Sequence, residues 1–326
     1  MQKRKLGETG MEIAPLVFGG NVLGWTTDQA QGFAVLDAFV AHGFDAIDTA
    51  DVYSSWAPGH TGGESEAMIG DWLRARPGMK NRVKIFTKVG SDLERPGEKG
   101  LSERWIMQAV DNSLKRLGVE VIDLYFSHWP DPETPQEETL GAFAKLMAAG
   151  KVRAIGASNV DAAQLGEALD LAGKGLPPYQ VLQPEYNLYD RNGFEGDLRD
   201  LCVKRNLGVV TYFSLASGFL SGKYRSDADL SKSVRGEDTA KYLNPRGMAL
   251  LSALDAVAER HSAKQAEVAL AWVMAQPGVT APIASATNVS HVDSFARAAE
   301  LVLTKQDLAQ LAVLSPEPTC WSCGAN

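Results

Sequence analysis

The sequence predicts an α/β fold: a (β/α)8 TIM barrel, plugged at one end by an N-terminal β-hairpin, with extra helices and a long loop toward the C-terminus. Three observations predict it. Eight short runs of β-branched and aromatic residues recur along the chain, segments of helical period separate them, and within each run apolar residues are consecutive rather than strictly alternating. Strands apolar on both faces and alternating with helices are parallel strands joined by crossovers. Eight such units make a closed barrel. The 326 residues suit one barrel domain over 1–326, because no linker or low-complexity stretch divides them.

The elements follow in order. "KRKLGETGMEIAP" reads as the hairpin, turned by Glu8, Thr9 and Gly10. The strand runs are "IAPLVF" (13–18), "FDAID" (44–48), "VKIFTK" (83–88), "VIDLYF" (121–126), "VRAIGA" (152–157), "YQVLQ" (179–183), "LGVVTY" (207–212) and "VTAPIA" (279–284). Between the third and fourth, "SERWIMQAVDNSLKRLG" puts Ile106, Val110, Leu114 and Leu117 on one helical face, with Ser102 as cap and Gly118 as stop. Other helices begin near Thr27, Glu64, Pro135, Asp161 and Phe194, and 246–275 holds two more. The stretch 223–246, "KYRSDADLSKSVRGEDTAKYLNPR", is long and polar enough to be a functional loop. An open doubly wound sheet is the competing layout. It requires G-x-G-x-x-G after the first strand, which neither "VFGGNVLGW" nor "AGKGLPP" supplies.

Apolar residues make up 45% of the chain and charged residues 22%, as in globular proteins with a sizeable core. The formal net charge of -8, with no compensating basic stretch, argues against a nucleic-acid partner. No apolar run approaches a membrane span, and "MQKRKLGETG" has no apolar signal region, so a cytoplasmic protein with no membrane partner is expected. Cys202, in "DLCVKR", reads as core. Cys320 and Cys323 form a C-x-x-C open to three readings: a redox pair, half of a zinc site, or an inert tail. No second ligand pair stands at metal spacing, so no metal is expected.

A barrel does its chemistry at the C-terminal ends of its strands. Asp48 ends the second run, with Tyr53 in the loop beyond; Lys88 ends the third; the fourth runs into Ser127, His128 and Trp129; Gln183 ends the sixth and Tyr212 the seventh. Each has a plain alternative. Asp48 caps a turn, Lys88 leaves a strand into solvent, His128 is a satisfied half-buried histidine, and Tyr53 packs a loop. All four alternatives must hold together, on three adjacent strands at one face. One chemical task needs this set, the reduction of a carbonyl by a hydride and a proton. A free phenol, with a pKa of about 10, is a poor acid near neutrality. A neighbouring ammonium favours the phenolate, and a carboxylate holds that ammonium charged. Tyr53 is then the proton donor, Lys88 its tuner, Asp48 the anchor, and His128 the group that orients the carbonyl oxygen.

"DAIDTADVYS", "GGESEAMIG", "IFTKVG", "SHWPD", "IGASNV", "QPEYNL" and "SGFLSGKY" resemble, in order and spacing, the motifs of the aldo-keto reductases. The resemblance runs from the hairpin to about residue 300 and places the family's catalytic tetrad on Asp48, Tyr53, Lys88 and His128. It implies hydride transfer between NADPH and an aldehyde, ketone or secondary alcohol, in a bacterial type of enzyme. It also implies that Gly20, Asn21, Ser158, Asn159 and Gln183 border the nicotinamide end and that Tyr212 stacks on the ring. Leu215, Ser217, Gly218 and Lys223 then follow the pyrophosphate, and Phe213 and Ser214 join them as cofactor-binding residues in a segment reading Y-F-S-L where the family has Y-S-P-L; Lys223 and Arg225 are cations for the 2′-phosphate. In "IASATNVSHVDSFARAAE", His291 occupies the place of the arginine that grips the 2′-phosphate, while Ser285 and Thr287 stand near it. NADPH is therefore expected to be preferred, with NADH accepted less well. Trp25, Trp56 and Trp129, with Tyr53 and Phe213, make an aromatic substrate pocket, and Trp56 and His60 line its entrance.

Two other classes stay open. One is a metal-dependent sugar isomerase barrel with Asp48, His128 and Glu185 as ligands. The other is a non-catalytic binding subunit built on a reductase barrel.

Overall fold

The structure is a computed structural model and describes residues 1–312. Two short strands, β1 (Arg4–Lys5) and β2 (Glu12–Ile13), pair antiparallel as the expected hairpin. Eight strands follow: β3 (Val17–Gly19), β4 (Ala46–Asp48), β5 (Lys84–Val89), β6 (Ile122–Ser127), β7 (Val152–Ser158), β8 (Val181–Gln183), β9 (Gly208–Thr211) and β10 (Ala281–Ala284). Each pairs in parallel with the next, and β10 returns to β3, so the barrel closes. The run 13–18 divides between hairpin and barrel. Pro15 interrupts it and has no N–H for a ladder, and the Ala14 N–H is held instead by Asp45 Oδ1 at 2.8 Å.

Among the described residues eleven α-helices accompany the strands: α1 (Gln29–Ala41), α2 (Glu64–Ala75), α3 (Glu103–Leu117), α4 (Gln136–Ala148), α5 (Ala162–Leu171), α6 (Asp197–Lys204), α7 (Gly236–Thr239), α8 (Pro245–Arg260), α9 (Gln265–Met274), α10 (Val289–Glu300) and α11 (Lys305–Ala312). Helix α3 is capped as expected, with the Ser102 hydroxyl accepting from the Trp105 N–H and Gly118 left-handed at φ 65°. Asp28 and Asp161 cap α1 and α5, each in a reciprocal pair with a glutamine three residues on. Helix α6 starts three residues later than Phe194, which belongs to the preceding turn. The polar stretch 223–246 folds into short helical turns, among them α7. No helix among the described residues is long and apolar enough to cross a membrane.

The barrel interior is a core of its own. Val17, Ala46, Phe86, Leu124, Phe126, Ala154, Val181, Val210, Ala281 and Ile283 fill it, and Leu6 and Ile13 of the hairpin close its floor. The fit at the floor is tight: a Cβ on Gly7 would lie 2.4 Å from the Gly208 nitrogen. Ile47, Ile85, Tyr125, Ile155 and Leu182 point outward, against the helices. This alternation positions the site. One step of two residues beyond the innermost apolar layer, the same inward parity reaches Asp48 after Ala46, Lys88 after Phe86, His128 after Phe126, Gln183 after Val181, Tyr212 after Val210 and Ser285 after Ile283. Cys202 is buried in α6, and Cys320 and Cys323 lie outside the described residues.

Candidate active site

A cavity of about 1000 Å³ opens at the C-terminal ends of the strands. Asp48, Tyr53, His128, Ser158, Asn159, Gln183, Tyr212, Phe213, Ser214, Leu215, Ser217, Gly218 and Lys223 line it, together with Asn21, Trp56, Trp129, Ser285, Thr287 and His291.

Lys88 ties its centre together. It is fully buried, and its Nζ donates to Asp48 Oδ2 at 2.6 Å, to the Thr49 carbonyl at 2.7 Å and to the Tyr53 hydroxyl at 2.9 Å. Gln183 Nε2 donates to the other Asp48 oxygen at 2.8 Å, so both carboxylate oxygens are engaged. Tyr53 reaches the lysine because the chain turns tightly after β4: Ser54 takes φ 74° and its hydroxyl donates to the Leu23 carbonyl at 2.8 Å. Burial pulls Lys88 toward the neutral amine, but Asp48 and Tyr53 outweigh it and hold the ammonium above its ordinary range. Burial pushes Asp48 up while Lys88 and Gln183 pull it down. For Tyr53, burial dominates: it pushes the phenol up, Lys88 draws it down, and the balance stays above the ordinary value. The expected tuning by lysine is therefore present but smaller than the cost of burying a phenolate.

His128 stacks on Trp129, with ring centroids 5.9 Å apart, and lies edge-on to Tyr53 at 6.0 Å. Its Nδ1 is 2.9 Å from Ser91 Oγ, and its carbonyl accepts from Asn159 Nδ2 at 2.9 Å. Burial, then Lys88, pushes the imidazole well below its ordinary pKa, so it is neutral. Asp51, the second acid of the loop, stands outside the cavity; burial and then Glu66 push its carboxyl well above the ordinary carboxylate range.

Further along, Asn159 is committed to the protein: its Oδ1 accepts from the Tyr212 hydroxyl at 2.6 Å and its Nδ2 donates to His128 and to Ser158 Oγ. That fixes the Tyr212 ring. Beyond it, Phe213, Ala216, Ser217 and Gly218 all take positive φ, and Asn187 Nδ2 holds the Phe213 carbonyl at 3.1 Å. Ser285 donates to Asn21 Oδ1 at 2.6 Å. At the far end His291 lies near Thr287 and Asn288, and burial, then Lys223 and Lys264, lowers its pKa.

Five expected residues do not line the cavity: Lys88, fully buried, meets it through Asp48 and the Tyr53 hydroxyl, and four others stand apart. Gly20 packs against the Asp48 carbonyl and Ser65, where a Cβ would come within 2.8 Å of the former. Trp25 supports Trp56 edge-on at 5.5 Å from behind. Arg225 turns away to a two-pronged pair with Asp255 at 2.9 and 2.7 Å. His60 bonds the Ser54 carbonyl. Conversely, Ser91, Arg235, Lys264 and Gln265 line the cavity without a sequence signal that selects them, while Glu185, weighed above as a metal ligand, lines it together with Ser294 and Phe295. Arg235 lies over the Trp25 ring at 5.0 Å, and Lys264 Nζ reaches Ser294 Oγ at 3.4 Å. Among the described residues no group of three His, Cys, Asp or Glu side chains is placed to hold a metal ion. Asp48, one ligand of the isomerase alternative, is already engaged by Lys88 and Gln183.

The sequence profile of the Aldo/keto reductase family matches residues 15–315. The chain is 32% identical over 326 residues to the "Uncharacterized oxidoreductase YrpG" of Bacillus subtilis, covering 98% of this chain and 97% of that one. It is 31% identical over 318 residues to the aldo-keto reductase str7 of Strobilurus tenacellus, covering 96% and 89%. It is also 31% identical over 314 residues to a probable voltage-gated potassium channel subunit beta of Arabidopsis thaliana, covering 93% and 92%.

Proposed function

Because the chain belongs to the aldo/keto reductase family, we propose that it reduces aldehydes or ketones to alcohols, or runs the reverse reaction, with Tyr53 as the acid-base group and NADPH as the preferred cofactor. The observation that carries this reading is the Lys88 ammonium, bonded at once to Asp48, Thr49 and the Tyr53 hydroxyl at the wall of the cavity. Nothing in ordinary barrel packing needs a fully buried lysine to touch a phenol. A buried ion pair is costly unless its geometry is complete, and here it is complete.

The residues fit a nicotinamide cofactor. The cavity is long enough to run from Tyr212 to His291 and combines a fixed aromatic face, the uncommitted Oε1 of Gln183, a left-handed turn at Ser217 and Gly218, and cations at Lys223 and Lys264. Bound there, the reduced nicotinamide supplies the hydride. Tyr53 carries its proton through neutral pH, because burial holds its pKa up. It gives that proton to the carbonyl oxygen as negative charge develops there, and Lys88 at 2.9 Å stabilises the phenolate left behind. In the oxidation of an alcohol, the phenolate takes the proton back. Asp48 keeps Lys88 charged and fixed, and neutral His128 donates to the carbonyl oxygen without supplying net charge. Trp56, Trp129 and Phe213, each more than 40% exposed at the mouth, favour flat or apolar carbonyl compounds.

A binding-subunit reading draws on the channel-subunit relative, but the complete Asp48, Tyr53 and Lys88 set favours catalysis. A panel of aldehydes and ketones assayed with NADPH and NADH in parallel tests the proposal. Oxidation of NADPH with at least one carbonyl class is expected; tight cofactor binding with no turnover across the panel would favour the binding subunit.

A further inference from the structure

The geometry points to Ser91 as the positioning residue for His128: its hydroxyl donates to Nδ1 and so places the imidazole proton on Nε2, toward the cavity. This rests on the reading that His128 orients the carbonyl oxygen. Ser91 and His128 are both buried, and Ser91 Oγ lies 2.9 Å from Nδ1. Two hydrogen arrangements satisfy that distance. If Nδ1 carried the proton, Ser91 would accept it, its own hydroxyl proton would need a second acceptor, and Nε2 would face the cavity bare. Among the described residues, Ser91 Oγ has His128 Nδ1 as its one hydrogen-bond partner. If Ser91 donates, both atoms of the Ser91–Nδ1 contact are satisfied and Nε2–H is free to donate into the cavity. The doubly protonated ring is disfavoured, because burial and Lys88 both oppose it.

The rest of the surroundings holds the ring for that bond. The His128 N–H donates to the Val89 carbonyl at 2.8 Å, two residues before Ser91, so the β5 and β6 strand ends are locked in register where the two side chains meet. Asn159 holds the His128 carbonyl from the other side, and Trp129 covers one ring face. The ring is thus fixed in plane, and Ser91 supplies what these contacts do not, a choice between the two nitrogens. Only an Nε2–H histidine can donate to a carbonyl oxygen from the cavity side, since a bare nitrogen would repel it.

The test is nitrogen NMR of the imidazoles in the cofactor-free protein, with the His128 signal identified by its loss in His128→Asn. Wild type is expected to show one neutral tautomer, protonated at Nε2, with Nδ1 shifted by an accepted hydrogen bond. Ser91→Ala should lose that shift and Ser91→Thr restore it. Turnover of Ser91→Ala should fall roughly tenfold, the scale of one lost hydrogen bond at a buried acceptor, with the NADPH dissociation constant unchanged, and Ser91→Thr should recover it. A wild-type His128 protonated at Nδ1 would overturn the assignment even if no variant folded. So would a Ser91→Ala protein whose tautomer changes but whose turnover does not. Wild-type turnover in a folded His128→Ala would instead reject the carbonyl-orienting role and leave the tautomer result standing.

Discussion

Replacing Lys88 by methionine keeps most of the side-chain volume and removes the charge. In the wild type that charge makes three hydrogen bonds and is fully buried. Its loss leaves Asp48, 1% exposed, with Gln183 and Tyr53 as side-chain partners and no cation beside it. Breaking a buried ion pair by removing one partner typically costs about 3–5 kcal/mol, which for a chain of this size lowers Tm by roughly 4–7 °C. The cost depends on pH with a definite sign. Burial already pushes Asp48 up, and without the lysine it rises further. A carboxyl whose folded pKa lies above its unfolded value of about 3.9 binds more protons in the folded state, so stability falls as pH rises from that value through the folded pKa, then levels off. The deficit of Lys88→Met should therefore be small near pH 4 and grow as pH rises toward 8. Urea unfolding of both proteins between pH 4 and 8 measures it. Adding Asp48→Asn to Lys88→Met removes the stranded charge and should return most of the stability but none of the activity. A deficit that is constant with pH, or a double variant no more stable than the single one, would refute the coupled buried pair.

Two further outcomes follow from groups elsewhere in the cavity and the core. With His291 held below its ordinary pKa by burial and by Lys223 and Lys264, the preference for NADPH should be flat from about pH 6.5 to 8 and grow only in more acid solution; cofactor dissociation constants across that range check it. Lys264→Ala should weaken NADPH about tenfold and NADH far less, and equal losses for both cofactors would remove Lys264 from the 2′-phosphate. Cys202 is buried in α6, and burial pushes its thiol up to about 12, so iodoacetamide should leave it unmodified in the native protein while labelling it in urea, as peptide mapping would record.

The barrel was legible because short β-branched and aromatic runs recur between segments of helical period, and the four central residues because each lies at, or just past, the end of such a run. Inward parity then carries Asp48, Lys88, His128 and Gln183 to one place without any knowledge of loops. What sequence reasoning missed lies where no period operates. Ser91 follows Gly90, whose φ of 119° redirects the chain off β5, and nothing in "KVGSD" announces that turn. Lys264 sits at the start of α9, 27 residues from His291, and only packing of α9 on α10 unites them. Arg225 misled because proximity in sequence to Lys223 says nothing of Asp255, which claims it from α8. The run at 13–18 misled because periodicity outweighed the missing N–H of Pro15. The direction of the Tyr53 shift depended on burial, which the neighbouring charges alone do not reveal.

The central claim, that Tyr53 hands a proton to a carbonyl whose carbon receives hydride from the cofactor, is tested most directly with NADPH deuterated at both C4 positions of the nicotinamide. Mass spectrometry of the alcohol reports the transfer, and cofactor fluorescence reports binding independently. Wild type is expected to place one deuterium on the carbinol carbon. Folded Tyr53→Phe is expected to bind NADPH normally and to form that product at least about 10²-fold more slowly, the least expected of a lost general acid. A Tyr53→Phe protein that delivers deuterium at the wild-type rate with the chemical step limiting, or a wild type that binds NADPH and delivers none to any carbonyl offered, would contradict it.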